Sequence, residues 1–96
     1  MVESRLLVKA RLGLHARAAA KVVRVAQGFS SKVEFRRIDN NARADAKSIL
    51  SVLMLAASRG TELHITIEGI DEDAALTAID RLFADGFGEL EQESPG

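Results

Sequence analysis

Arg5-Leu6-Leu7-Val8-Lys9-Ala10, a break at Gly13, then Ala16-Arg17-Ala18-Ala19-Ala20-Lys21-Val22-Val23-Arg24-Val25-Ala26-Gln27 closed by Gly28: this stretch decides the fold. In its first part Leu6, Val8 and Ala10 alternate with Arg5, Leu7 and Lys9, the period of two of a half-buried strand. In its second part Ala19, Val22, Val23 and Ala26 recur at helical spacing, while Arg17, Lys21 and Arg24 mark the wet side. Gly28 stands where a helix C-cap belongs. The order is strand, loop, helix.

Downstream, Lys32 to Ile38 alternates cleanly, and Asp39-Asn40-Asn41 is turn chemistry because these side chains bond their own backbone. Ala42 to Asp45 returns as a short edge strand of low strand propensity. Lys47 to Arg59 reads as a second helix ended by Gly60. Leu63, Ile65 and Ile67 alternate with His64, Thr66 and Glu68 in the clearest strand of the chain, closed by Gly69. Asp71 is placed to cap a third helix with Ala74, Ala75, Ile79, Leu82 and Phe83 on its apolar face, ended by Gly86 and Gly88. The sum is β-α-β-β-α-β-α. Alternating strands cover one sheet face and wet the other, so the helices share a side. The fold class is an open-faced, two-layer α+β sandwich: one domain over residues 1–88 and an acidic, frayed tail over 89–96.

Bulk properties agree. The 96 residues suit one domain, 47% of them are apolar and 28% charged, the ordinary globular mix. The chain has no cysteine, which fits a reducing compartment. Met1-Val2-Glu3-Ser4-Arg5 is followed by only Leu6, Leu7 and Val8 before Lys9, so neither a signal peptide nor a membrane span is expected. A net charge of −1 argues against a general nucleic-acid binder. A cytoplasmic domain without membrane insertion is the expectation.

The chemistry concentrates at Gly13-Leu14-His15-Ala16-Arg17. A strand-to-helix junction leaves unpaired N–H groups and partial positive charge, a ready anion site. Imidazole is nucleophilic and neutral near pH 7, and Arg17 adds fixed charge for an oxygen-rich anion. These parts suffice to hold a phosphoryl group on a ring nitrogen without metal or cofactor. Read alone, the pattern also fits a capping histidine, a glycine that only turns the chain, and a solvated arginine.

The second helix adds a second signal. Ile49, Leu50, Val52, Leu53, Met54, Leu55, Ala56 and Ala57 exceed one core-facing stripe. The surplus fits either a docking surface or a helix buried among neighbours. Ser48 is an N-cap candidate, and a phosphate there would add about −1.5 to −2 charge beside the apolar residues. His64 reads as a wet-face residue. Arg36-Arg37 allows an RNA- or DNA-binding sandwich, with only Phe35 nearby for stacking. A metal site on His15 and His64 lacks further ligands. An interaction module whose His15 is never phosphorylated stays open.

The His15 segment, with Ala19-Ala20, Gln27-Gly28-Phe29, Ala46-Lys47-Ser48-Ile49, Gly60, Gly69 and Asp71, resembles the HPr family, the histidine-containing phosphocarriers of the bacterial phosphotransferase system. The resemblance covers residues 5–88 and implies an antiparallel sheet of order 1-4-2-3 with three helices on one face. It implies that His15 accepts a phosphoryl group on Nδ1 from enzyme I, charged by phosphoenolpyruvate, and passes it to an enzyme IIA for sugar transport. Arg17 then matches the arginine that contacts the phosphoryl oxygens, and Ser48 the serine modified by an HPr kinase/phosphorylase in some bacteria. Ala20, Arg24, Ile49, Leu50 and Leu53 fall where the family docks its partners. A monomer without cofactor is implied. Ala18 stands where the family usually has proline, and the Asp39-Asn40-Asn41 hairpin is longer than usual. Gln27-Gly28-Phe29 and Leu82-Phe83-Ala84-Asp85-Gly86-Phe87 look similar to NPr, the nitrogen-related paralogue, while Lys47-Ser48-Ile49 looks more like the sugar-system branch.

Overall fold

Strand alternation delivers Leu6, Val33, Phe35, Leu63, Ile65 and Ile67 to one sheet face, where all are buried. The computed structural model describes residues 1–89. Its elements are β1 (Val2–Leu7), α1 (Ala16–Gln27), β2 (Lys32–Arg37), β3 (Arg43–Asp45), α2 (Ile49–Met54), β4 (Glu62–Glu68) and α3 (Glu72–Ala84), followed by a short 3-10 turn at Gly86–Gly88. The sheet is antiparallel in the order β1-β4-β2-β3, so the expected α+β sandwich and its strand order hold.

Register places the core. Leu6 faces Leu63, Val33 faces Ile67, and Phe35 faces Ile65 on one side and Ala44 on the other. Ala18, Ala19, Val22, Val23 and Ala26 of α1 and Ala75, Ile79 and Phe83 of α3 complete it, all buried. Ala74, expected on the apolar face of α3, is exposed. The rings of Phe35 and Phe83 lie 5.7 Å apart and those of Phe83 and Phe87 4.9 Å apart, edge to face.

Three elements differ from the sequence reading. β1 begins at Val2, while Val8 continues the pairing past its end by receiving Gly60 N–H at 2.8 Å and donating to Thr61 at 3.0 Å. The second helix is six residues long instead of spanning Lys47 to Arg59. Ala56 takes a positive φ of 49°, which reverses the chain. The Arg37 guanidinium donates to the carbonyls of Leu55 and Ala56 at 2.9 and 3.1 Å, satisfying acceptors that a longer helix would have used. Finally, Asp71 occupies the N-cap position of α3 without capping it. Its carboxylate instead receives the Ser31 hydroxyl and the N–H groups of Ser30 and Ser31, tying the α1–β2 loop to α3. Those bonds, the hydroxyl foremost, hold the Asp71 carboxyl below its ordinary pKa.

Candidate functional site

The site is built from the turn between β1 and α1. Gly13 N–H donates to Ala10 and Leu14 N–H to the Ala57 carbonyl, at 2.9 and 2.8 Å. Gly13 has φ +68°, and a Cβ there would lie 2.5 Å from Ala57 O, so both its conformation and its surroundings demand glycine. With Leu14 buried, His15 arrives at the N-cap in extended conformation, φ −74° and ψ 179°. Its carbonyl accepts the first helical bond, from Ala19 at 2.8 Å.

The two ring nitrogens have different partners. Nδ1 accepts from the Arg17 backbone N–H at 3.3 Å, while Nε2 lies 2.6 Å from Oε2 of Glu89. A nitrogen that accepts carries a lone pair, and one that faces a carboxylate carries the proton. The ring is therefore the Nε2–H tautomer with its Nδ1 lone pair aimed at the first turn of α1. The N–H groups of Ala16 and Ala18 have no acceptor among the described residues. No acidic residue stands in that turn itself, so the nearest carboxylate described is that of Glu89 on the far ring nitrogen. The Arg17 side chain is exposed and makes no hydrogen bond or ion pair among the described residues. The arrangement offers a nucleophilic nitrogen, free amide hydrogens and a guanidinium to one anion.

Glu89 is the residue that sequence reading missed. It was counted with the acidic tail, yet its side chain is 7% exposed against 26% for that of His15. The remainder of that tail, residues 90–96, lies outside the described residues. The available signal was Phe87 between Gly86 and Gly88, an apolar residue among turn formers.

Around α2 the expected docking residues separate. Ile49, Leu50 and Met54 are 46, 69 and 74% exposed, Leu53 is half-buried against the core, and Val52 and Leu55 are buried. A groove of about 390 Å³ between α1 and α2 is lined by Ala20, Val23, Arg24, Gln27, Lys47 and Ile49, so it gathers Ala20, Arg24 and Ile49 but not Leu50 or Leu53. Ser48 caps α2, its hydroxyl accepting from Ser51 N–H at 3.3 Å.

On the open sheet face, Arg5, His64, Arg36 and Arg43 form a row across all four strands. The neighbouring row is Glu3, Thr66, Glu34 and Asp45. His64 lies 3.2 Å from Glu3 and Arg43 pairs with Glu34 at 3.0 Å, so acidic groups are interleaved with the basic ones on this face. Arg37 is engaged at the end of α2. This is a surface of mixed charge and not a stripe of one sign.

Comparison with known proteins points the same way. The family profile described as "PTS HPr component phosphorylation site" matches residues 2–85. A phosphocarrier protein HPr of Treponema pallidum is 46% identical over 89 residues, 93% of this chain and 99% of that one. A phosphocarrier protein NPr of Escherichia coli is 38% identical over 79 residues, 82% and 87% of the respective chains. A crystal structure of HPr from Thermoanaerobacter tengcongensis superposes with a TM-score of 0.87 at 37% identity, covering 93% of this chain and 98% of its own. No described helix is long and apolar enough to cross a membrane.

Proposed function

The chain belongs to the HPr family of phosphotransferase-system phosphocarriers, and from that premise we propose that His15 is the residue that carries the phosphoryl group, taken from enzyme I and given to an enzyme IIA. The observation that supports this is the Nδ1 lone pair at the positive end of α1, beside amide hydrogens and a guanidinium that have no acceptor among the described residues.

The step is an in-line displacement. The Nδ1 lone pair forms the N–P bond while the donor's bond to phosphorus breaks, its electron pair returning to the donor. Arg17 N–H, which loses its lone-pair acceptor, turns to a phosphoryl oxygen. The N–H groups of Ala16 and Ala18 and the Arg17 guanidinium take further oxygen charge. Catalysis here is positioning and electrostatics, so the protein is a substrate-like carrier and not a turnover enzyme.

The exposed Ile49 and Leu50, with the groove of Ala20 and Arg24, form the surface on which both partners dock as this protein works in the cytoplasm as a monomer. Ser48 lies beside that surface, where phosphorylation by an HPr kinase/phosphorylase would place charge against an incoming partner. Incubation with phosphoenolpyruvate and enzyme I is expected to give an acid-labile, base-stable phosphoadduct that is lost in His15→Ala. An adduct that survives that substitution overturns the assignment.

A further inference from the structure

Arg37 brings a charge to the covered face of the sheet. Strand alternation sets it on the side of Val33 and Phe35, which are buried, and its own side chain is 15% exposed. From one side Asp39 grips the guanidinium with both oxygens, Nε to Oδ1 at 2.9 Å and Nη2 to Oδ2 at 2.6 Å, which fixes the plane of the fork. On the other side Nη1 donates to the carbonyls of Leu55 and Ala56, at 2.9 and 3.1 Å. These two belong to the peptides before and after the Ala56 α-carbon, where φ is 49°, a left-handed conformation that alanine rarely adopts. The next carbonyl along, that of Ala57, is the one that receives Leu14 N–H at 2.8 Å.

We propose that Arg37 is a positioning residue for phosphoryl transfer: by holding the carbonyls that end α2, it keeps Ala57 on Leu14 and so keeps His15 at the start of α1. The proposal deepens the carrier reading of His15 and rests on it. Asp39 aims the fork, and the fork pins both peptides around Ala56, so the direction of the Ala57 carbonyl is set. Gly13 lies so close to Ala57 O and to the Ser58 backbone that its loop cannot shift independently of them. His15 follows Leu14 directly. Without the guanidinium, the two carbonyls turn to water, Ala56 relaxes to ordinary backbone, and the Ala57 carbonyl leaves Leu14 N–H. Nδ1 then spends less time over the first turn of α1, and in-line attack depends on that placement. Docking is spared, because Ile49 and Leu50 stand exposed on the first turn of α2, which Ser48 caps. The loss therefore falls on kcat and not on KM.

The test is made on the full chain, with Arg37→Met, which keeps a long side chain without donors, and Arg37→Lys, which keeps one donor group. Charging by enzyme I is expected to lose about tenfold in kcat in Arg37→Met, with KM unchanged and partial rescue in Arg37→Lys. Amide hydrogen exchange at Leu14 is expected to quicken about tenfold in Arg37→Met, while Ile65 in the middle of the sheet keeps its protection. Unchanged kcat, or unchanged exchange at Leu14, overturns the proposal. Protection lost at Ile65 as fully as at Leu14 overturns it too, since Arg37 would then support the whole fold and not the loop. If Arg37→Met does not fold, Arg37→Lys decides by the same readings. A parent chain that is never charged overturns the carrier reading instead, so the two failures are told apart.

Discussion

The Ala57 carbonyl receives Leu14 N–H at 2.8 Å and stands 2.5 Å from where a Cβ on Gly13 would be. One carbonyl from the segment after α2 thus shapes the loop that presents His15. Gly13→Ala meets a left-handed backbone and a backbone oxygen together, so it is expected to cost about 1–3 kcal/mol of stability. Urea unfolding measures that loss, and slower charging by enzyme I is expected with it, because the loop must shift to admit the methyl group.

The Arg17 side chain is exposed and makes no hydrogen bond or ion pair among the described residues. Arg17→Ala is expected to leave the melting temperature unchanged and to slow phosphoryl transfer about 10²-fold, the usual loss when one preorganised charge donor is removed. Rapid-quench transfer kinetics with thermal unfolding in parallel check both halves. Normal transfer would make Arg17 a bystander.

At Ser48 the capping and docking roles predict different substitutions to be harmful. Ser48→Ala removes the acceptor of Ser51 N–H and is expected to cost about 1 kcal/mol while sparing transfer. Ser48→Asp keeps a cap but adds charge next to exposed Ile49 and Leu50, and is expected to raise the KM for enzyme I. Equal KM values for the parent and Ser48→Asp would remove the docking role.

The Asp71 carboxyl titrates below its ordinary range because Ser31 and Ser30 hydrogen-bond its ionised form. Its folded pKa lies under the unfolded one, so its contribution is present above the ordinary carboxylate pKa and is lost as pH falls through that range. Asp39, held by Arg37, and Glu72, held by Gly69 N–H and the N-terminus, act in the same direction. Urea midpoints at pH 7 and pH 3 are expected to fall less steeply with acid in Asp71→Asn than in the parent. Parallel acid limbs would show that the Ser30–Ser31 contacts carry no ionisation linkage.

What the sequence shows and what it hides divide along range of interaction. The β1–α1 junction, the turn at Gly13 and the alternation of Leu63, Ile65 and Ile67 are local, and they read correctly. The length of α2 was not legible, because the carbonyls at its end are satisfied by Arg37, a residue of another strand. Asp71 had the spacing of a cap, but Ser30 and Ser31 from a distant loop compete for its oxygens. His15 and Arg17 lie where the pattern put them, at the junction that opens α1. Glu89 acts across 74 positions of chain and is paired by geometry that no periodicity encodes.

The strand order has a consequence for the nascent chain. β4 is the last of the described strands to leave the ribosome, yet it lies inside the sheet, between β1 and the β2–β3 hairpin. Until residues 62–68 emerge, β1 has no partner and only the local hairpin can close. The acceptor loop waits too, since Val8 is pinned by Gly60 and Thr61, and Glu89 comes later still. A growing polypeptide therefore displays its histidine early but completes the loop that holds it only after residues 60–68 have emerged.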